Sequence, residues 1–318
     1  MRRFLILVLL LISAVAHAED YDQLKRQALA FAKEQNYSQA IALTKKAFLI
    51  RQDNASDYYN AACFAALGGD KDLAFLWLNL SFEKGMHNIE HVLSDADLNN
   101  LHEDLRWTSA LKNARALIAE AEKNFNKPLQ KTLLEIFDAD QIDRRKANEL
   151  TKKFGFDAPE VREIWQKIEA NDLANTEKVK AIIAQHGWVG PDQVGRRASQ
   201  TLFLVIQHAD EETRRQFLPL LREAVKNKKA QPSDLALMED RAALEAGGKQ
   251  IYGSQIMIAG AGSAKLQPLE DPDNVDRRRA SVGLGPLADY LKNWDLVWDV
   301  EAYKKSQIES NALKKGLK

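Results

Sequence analysis

Cysteine, net charge and long apolar runs are all scarce in the sequence, and each scarcity excludes a class of protein or partner. Its only cysteine, Cys63, excludes an intramolecular disulfide and lies among small and apolar residues, so we predict a buried, unreactive thiol. The 45 basic residues equal the 45 acidic ones, which removes the electrostatic argument for a nucleic-acid partner. With 318 residues, of which 45% are hydrophobic, the chain is expected to form two domains with their own cores.

The one long apolar run lies at the N-terminus and has the pattern of a secretory signal peptide over residues 1–18. Arg2 and Arg3 precede the apolar stretch Phe4 to Ile12, and Ala16-His17-Ala18 matches an A-x-A cleavage site. This stretch is shorter than the ~20 residues needed to span a bilayer. We therefore predict cleavage after Ala18 and a periplasmic or secreted protein without a membrane span. The mature chain would keep 43 basic and 45 acidic residues, a net charge of −2.

Two helical repeats are predicted in the first third of the chain. Residues 21–120 contain no proline, and an offset of 34 residues aligns positions of similar character. The aligned pairs are Leu24 and Tyr58, Ala28 and Ala62, Phe31 and Ala65, Asn36 and Asp70, Ala40 and Ala74, and Ala47 and Ser81. This pattern resembles the tetratricopeptide repeat, a helix-turn-helix unit of that period. The resemblance implies a helical array over residues 19–123, which would either bind a protein or peptide partner or act as a rigid spacer.

The helical pattern breaks at Pro128, where we place a linker over residues 124–131. A mostly helical domain is expected over residues 129–300, with one helix over 160–167 and another over 176–186. A further buried helix is expected to begin at Pro191 and continue without a break to Ile206. The glycine-rich segment 247–255 predicts a loop or short strands, and residues 301–318 predict a charged, solvated tail. The predicted fold class is therefore mainly α.

Short polar motifs interrupt the helices of this second domain. They are Asp140-Gln141-x-Asp143-Arg144, Gln207-His208-Ala209-Asp210, Asp240-Arg241, Gln250-x-Tyr252-Gly253-x-Gln255 and Val275-Asp276-Arg277-Arg278-Arg279. Together they resemble a bacterial family of domains of unknown function, over roughly residues 129–294. Ser254 departs from the family pattern, in which threonine is commoner. The resemblance implies membership of that family and no particular activity.

His208 and Asp240 are the candidate catalytic residues. Histidine is the side chain that changes charge near neutral pH, which suits a general acid or base. Asp240 is included because the polar segments are expected to converge on one cavity. Asp210 could orient His208, or it could cap the helix that follows, and His208 could itself be an ordinary helix-terminal histidine.

Five further residues are candidates for ligand binding: Asp140, Asp143, Arg241, Tyr252 and Gln255. Asp140 and Asp143 lie three residues apart on one helical face, which suits acid–base chemistry, a cation or a bond to a nearby arginine. Tyr252 and Gln255 follow two glycines, and their side chains could donate hydrogen bonds to a polar small molecule.

We predict no metal site, and the sequence does not identify a cofactor. Asp140, Asp143, His208 and Asp210 could supply ligands, but no second histidine lies at ligand spacing. Two classes of function remain. One is an exported, metal-independent hydrolase or transferase that uses His208 as general acid or base. The other is a noncatalytic envelope interaction protein whose polar motifs form a closed, fully bonded network.

Overall fold

The computed structural model describes residues 21–259 and 263–307, and it confirms the mainly α fold class. The chain divides into two compact units, Met1–Lys123 and Asn124–Lys318. The predicted signal peptide, residues 1–18, lies outside the described residues. In the ranges that are described, we find no helix with the length and apolar character needed to cross a membrane.

The N-terminal unit is a series of short helices joined by tight turns. They are α1 (residues 21–33), α2 (Tyr37–Ile50), α3 (Ala55–Leu67), α4 (Lys71–Glu83), α5 (Ile89–Ser94), a 3₁₀ helix (Ala96–Leu101) and α6 (Leu105–Ala121). The side chains of Asn36, Asn54 and Asp70 each accept a hydrogen bond from a backbone N–H in the first turn of the next helix. These caps satisfy N–H groups that have no partner within the helix.

Small residues form the contacts between these helices. The four alanines that the 34-residue offset aligns, Ala28, Ala40, Ala62 and Ala74, are all buried. The helices α2 and α4 begin at Tyr37 and Lys71, which lie one such period apart. Cys63 is buried in α3 as predicted, and burial, followed by the charge of Asp95, raises the pKa of its thiol. A protonated thiol of this kind is a poor nucleophile.

The C-terminal unit begins with longer helices and ends in an irregular region. The elements are α7 (Lys127–Phe154), α8 (Pro159–His186), α9 (Pro191–Val194), α10 (Arg196–His208), α11 (Glu211–Lys226), α12 (Pro232–Glu245), β1 (Ile256–Ala259), β2 (Ser263–Leu266), a 3₁₀ helix (Pro272–Asn274), α13 (Val275–Ser281), α14 (Leu287–Leu291), a 3₁₀ helix (Lys292–Trp294) and α15 (residues 300–307). The two strands pair in antiparallel fashion, with Ile256 opposite Leu266.

The helix α7 packs against both α8 and α10, which also contact each other, and polar residues of all three helices meet. Bonds from Thr201 to the Leu133 carbonyl and between His208 and Asp140 show that α7 and α10 run in the same direction. The helix α8 returns antiparallel to α7 after a short turn. Apolar side chains of the same three helices form a core, which includes Leu133, Ile136, Val179, Leu202 and Ile206.

The structure corrects four expectations about helix boundaries. Residues 159–186 form one helix rather than two, and Asn175 and Thr176 are buried within it. Pro128 lies in the first turn of α7 rather than in a linker, a position where its missing N–H costs nothing. The helix expected from Pro191 is split at Gly195, and residues 301–307 of the predicted tail are helical.

Both of the last two differences have a local cause. Gly195 has φ +84°, and a Cβ there would lie 3.1 Å from the ring of Phe125, so the break requires glycine. The Tyr303 hydroxyl accepts a hydrogen bond from the Leu269 backbone N–H at 2.6 Å, which fixes α15 to the C-terminal unit. The glycine-rich segment 247–255 forms a loop, one of the two predicted alternatives, and the two short strands follow it.

Candidate functional site

A histidine and a buried carboxylate meet at the end of α10. Nδ1 of His208, the last residue of that helix, lies 3.0 Å from Oδ1 of Asp140 on α7. The side chain of Asp140 is 1% exposed, whereas that of His208 is 21% exposed. Nε2 of His208 has no hydrogen-bond partner in the part of the chain that the structure describes. The carboxylate therefore holds one edge of the imidazole and leaves the other edge free.

Asp140 is held in its ionised form. Burial opposes the charge, but the hydrogen bond and charge of His208, then the hydrogen bond from Gln141 and the charge of Arg144, outweigh it. The net effect keeps the pKa of the Asp140 carboxyl below its usual range. A charged acceptor next to Nδ1 favours the tautomer in which that nitrogen carries the proton.

Arg144 joins this pair to a third carboxylate. Its Nη2 lies 2.5 and 2.6 Å from the two oxygens of Asp172 on α8, and its Nε lies 3.7 Å from Oδ2 of Asp140. Burial raises the pKa of Asp172, although the hydrogen bond and charge of Arg144 oppose that effect. Arg144 thus fixes the positions of both carboxylates around His208.

Asp140, Asp172 and His208 also offer three ligand atoms within 4.8 Å of one another. Such a set of two carboxylates and one imidazole could hold a divalent cation. Arg144 already occupies both oxygens of Asp172, however, so a cation would have to displace a guanidinium. A second group, Cys63 with Asp95 and Asp97 in the N-terminal unit, has the same spacing but a thiol whose pKa is raised.

Asp143 has different partners from Asp140. Its carboxylate lies 3.0 Å from Nζ of Lys167 and accepts a hydrogen bond from the Asn171 side chain at 3.2 Å. Asp143 and Asp140 therefore have separate partners, and of the alternatives for this pair the contact of Asp140 with Arg144 corresponds to the nearby arginine. Asp210 caps α11, where it accepts bonds from the backbone N–H and the hydroxyl of Thr213 at 2.8 and 3.0 Å. Of the two alternatives for Asp210, the structure shows capping.

Two arginines close the C-terminal end of α10. Nη1 of Arg241 donates to the Gln207 carbonyl at 2.9 Å, and Nε donates to Oε1 of Gln255 at 3.2 Å. Arg214 donates to the Ala209 carbonyl and pairs with Glu245. Cations are stabilised at this end of a helix, where carbonyls lack partners and the dipole is negative.

Arg241 differs from its neighbours because no carboxylate lies within ion-pair distance of it among the residues described. Burial, followed by the positive charges of Arg214 and then Arg144, lowers its pKa, while Glu245 acts in the opposite direction. The bond to the Gln207 carbonyl places Arg241 at the residue before His208. Arg241 is thus a partly buried cation with two neutral acceptors.

Asp240 has a different environment from the one predicted for a catalytic residue. It is fully buried, and its two oxygens accept hydrogen bonds from the backbone N–H groups of Ile251, Tyr252 and Ser254 at 2.6 to 2.9 Å. These bonds fix the glycine-rich loop to α12. The geometry corresponds to a structural role for Asp240 rather than to proton transfer.

The rest of the loop is closed by further hydrogen bonds. The side chain of Gln250, also fully buried, donates to the carbonyls of Gln255 and Gln267 and accepts from the Gln255 N–H. Arg278 donates to the Ile251 carbonyl, and Arg279 donates to the Tyr252 carbonyl. The glycine-rich segment therefore forms a tightly hydrogen-bonded loop.

Tyr252 takes part in this network through its backbone. Burial, followed by the charges of Glu239 and Asp240, raises the pKa of its phenol, and Arg278 opposes the shift. None of these groups belongs to the cluster around His208. Of the candidates in this loop, only Gln255 reaches that side of the molecule, through its bond to Arg241.

The structure therefore divides the predicted site residues into two groups. His208 and Asp140 meet directly, Arg241 and Gln255 lie beside them, and Asp240, Tyr252 and Asp143 have other partners. One participant, Asp172, was not predicted, because it falls in the stretch where the sequence indicates a gap between helices. Arg144 belongs to the first polar motif and matches the predicted nearby arginine, although it is not among the candidate site residues.

Comparison with protein families finds a match in the C-terminal unit. A family of unknown function (DUF6624) matches residues 127–303, from the first residue of α7 into α15. No curated protein and no solved structure matches the chain. The N-terminal helices lie outside the matched residues, whereas all of the polar cluster lies inside them.

Proposed function

The chain belongs to this family of unknown function, and we propose an activity for its C-terminal unit from the geometry of the polar cluster. This unit binds a small polar molecule beside His208, and the imidazole of His208 accepts or donates a proton. One observation carries the proposal, the 3.0 Å contact between Nδ1 of His208 and the buried carboxylate of Asp140. A base whose inner nitrogen is held by a buried acid and whose outer nitrogen is free is arranged for proton transfer.

The chemical role of each group follows from its position. Asp140 accepts the Nδ1 hydrogen, so the lone pair on Nε2 of His208 is directed away from α7. When Nε2 takes a proton from water or a hydroxyl group, the imidazolium is stabilised by the charged carboxylate. Arg144 is a positioning residue, because it holds Asp140 and Asp172 and leaves His208 to contact the bound molecule. These roles suit a hydrolase or a transferase.

Arg241 supplies the hydrogen-bond donors for that molecule, and Gln255 holds Arg241 in position through its side-chain oxygen. The amide N–H groups of Gln255 are already bonded to the Ser254 hydroxyl and the Leu237 carbonyl, and Arg241 also binds the carbonyl of the residue before His208. The hydrogen bonds of Asp240 hold Arg241 and Gln255 in position, because Asp240 directly precedes Arg241 in the sequence and fixes the loop that carries Gln255.

A chemical probe tests the role of His208 without a known substrate. Diethyl pyrocarbonate acylates unprotonated imidazole nitrogens, and mass spectrometry locates the modified residue. At pH 8 we expect His208 to react and the Asp140→Asn variant to react several-fold more slowly at that position, because Nε2 loses the electrostatic support of the carboxylate. The exposed His186, at the end of α8, serves as control in the same sample. Equal rates at position 208 in both proteins would contradict the proposal and leave the noncatalytic interaction protein as the interpretation.

For the rest of the chain, we propose export and partner binding. Cleavage after Ala18 would place the mature protein in the periplasm or outside the cell. The N-terminal helix pairs would act as tetratricopeptide-like repeats for a protein or peptide partner, and the 34-residue spacing of α2 and α4 supports this. Mass spectrometry of protein from its native host should find Glu19 as the first residue. An intact Met1 in that preparation would contradict export.

A further inference from the structure

We infer that the molecule bound beside His208 carries an oxyanion, a carboxylate or phosphate group, and that Arg241 holds it. This inference rests on the proposed function, since it names the ligand class of the same site. It starts from an imbalance among the three arginines at the end of α10. Arg144 pairs with Asp172 and Arg214 pairs with Glu245, whereas Arg241 has only neutral oxygen atoms as partners.

An unpaired guanidinium in this position is costly. Removing a charge from water without a counterion is unfavourable, and the two neighbouring arginines add repulsion. A guanidinium carries five N–H donors, and the structure accounts for one on Nε and one on Nη1 of Arg241. The donors that remain belong to the outer nitrogens, whose spacing matches the two oxygens of a carboxylate or phosphate.

Helix capping explains only part of this arrangement. The bond from Arg241 to the Gln207 carbonyl is a cap, but Arg214 already serves the same helix end through the Ala209 carbonyl. A neutral donor would cap a carbonyl without the cost of a second buried cation. The charge on Arg241 therefore requires another explanation, and an anionic ligand provides one.

The charges around His208 also connect ligand binding with proton uptake. Arg144, Arg214 and Arg241 equal Asp140, Asp172 and Glu245 in number, so the cluster has no net charge as long as the imidazole is neutral, although none of these acids pairs with Arg241. When the imidazole is protonated the cluster gains one positive charge, and a bound oxyanion restores the balance. Oxyanion binding should therefore be accompanied by proton uptake and should be stronger at lower pH.

A cation would have the opposite effect. A divalent ion between Asp140, Asp172 and His208 would add charge beside three arginines and would have to displace Arg144 from Asp172. Cation binding should compete with protons for the imidazole and become stronger as the pH rises. The sign of the pH dependence thus separates the two kinds of ligand.

Isothermal titration calorimetry on the mature chain tests the inference. The probes are sulfate, which stands for a phosphate group, and acetate, which stands for a carboxylate; neither changes charge between pH 6 and pH 8. Ionic strength is held constant with sodium chloride. We expect at least one probe to bind, more tightly at pH 6 than at pH 8, with proton uptake seen as a dependence of the heat on the buffer. The probe that binds identifies the source of the oxyanion.

Variants locate the binding site. Arg241→Gln removes the charge but keeps an amide that can donate to the Gln207 carbonyl, and we expect at least about tenfold weaker binding. The matched control is Arg222→Gln, because Arg222 is 54% exposed and pairs with Glu239 on the same unit. That variant should bind like the original chain. If Arg241→Gln does not fold, as judged by its melting curve, Arg241→Lys keeps the charge without the planar fork and should bind several-fold more weakly.

The remaining outcomes overturn the inference in ways that can be told apart. Equal binding to the original chain and to Arg241→Gln would show an adventitious ion only. Binding of Zn²⁺ or Mg²⁺ but of neither anion would replace the oxyanion site by a cation site. If neither anion binds while acylation of His208 still depends on Asp140, the oxyanion inference fails and the proposed function stands. If Arg241 binds an anion without proton uptake and acylation ignores Asp140, the proposed function fails instead.

Discussion

Asp240 and Asp140 are both buried carboxylates of the C-terminal unit, and their surroundings differ in kind. Asp240 is bonded to three backbone N–H groups of one loop. Asp140 is bonded to side chains, and one of them, His208, is partly exposed and can change its charge. Backbone donors cannot release the carboxylate without unfolding the loop, whereas an imidazole can exchange protons with water. Burial of a polar group by itself therefore does not distinguish a candidate functional residue from a structural one. The nature of its hydrogen-bond partners makes that distinction.

The two units of the chain differ in a related way. Among the residues described, three buried polar side chains lie in the N-terminal unit and thirteen lie in the C-terminal unit. The N-terminal unit is held together mainly by alanines and aromatic residues, which suits a helical array whose function depends on shape. Polar burial is expensive unless each group has a partner, so the C-terminal unit depends more than the N-terminal unit on hydrogen bonds and ion pairs between its buried groups.

The largest effect is expected from Asp240→Asn. An amide oxygen is a weaker acceptor than a carboxylate, and its NH₂ group would face N–H donors of the loop. Hydrogen bonds to a charged group contribute about 1.5–3 kcal/mol each, so we expect unfolding to become easier by at least about 3 kcal/mol. Urea denaturation measures the change.

The control for Asp240→Asn is Asp138→Asn, since Asp138 is 49% exposed and pairs with Arg197 on the surface. Its loss should change the free energy of unfolding by less than about 1 kcal/mol. Similar values for the two variants would remove the distinction between a buried, backbone-bonded carboxylate and a surface one.

Asp234 gives the next largest effect, because it lies on the same helix as Asp240 without comparable partners. Burial raises its pKa to about 6, and only a hydrogen bond from the Gln231 backbone opposes the shift. The folded state thus prefers the protonated acid. Its contribution to stability is complete below the unfolded pKa of 3.8 and is lost as the pH rises through about 6.

The Asp234→Asn variant should therefore lose less stability than the original chain between pH 4 and pH 7, by up to about 3 kcal/mol. Denaturation curves at a series of pH values measure the difference between the two proteins. A difference that does not change with pH would show that Asp234 is as well satisfied as Asp240.

The smallest effect on stability is expected from His208→Gln. One hydrogen bond to Asp140 is weakened, while the bond from Gln141 and the charge of Arg144 remain, so the cost should be about 1 kcal/mol. The same variant should abolish the proton uptake that accompanies anion binding. A large loss of stability with unchanged proton uptake would place His208 in the structural group with Asp240.

The sequence predicts the helical fold, the buried alanines and Cys63 because these depend on local pattern and residue size. It does not predict Asp172, since Asn171, Asp172 and Asn175 are poor helix formers and indicate a break. Packing of the buried Asn175 and Thr176 overrides that preference and continues α8. The polar motif around residue 140 was recognised, but its pairing with α8 depends on a helix that local propensity disfavours.

The division between Asp240 and His208 is also beyond local pattern. Both lie in short polar motifs at or near the end of a helix, and both were predicted to be catalytic. The donors to Asp240 come from 11 to 14 residues further along the chain, whereas the partner of His208 lies 68 residues before it. Only the packing of α7 beside α10 makes the second contact.

The network around the glycine-rich loop also makes the loop dependent on a segment that follows it in the chain. The carbonyls of Ile251, Tyr252 and Ser254 accept hydrogen bonds from Arg278, Arg279 and the Tyr290 hydroxyl, all of which are synthesised later. In a chain that ends before α13, these carbonyls would lack their side-chain donors even if α7 to α12 packed as they do here. The segment that contains α13 and α14 thus completes the burial of the loop, and a chain that terminates before α13 would expose it to proteases.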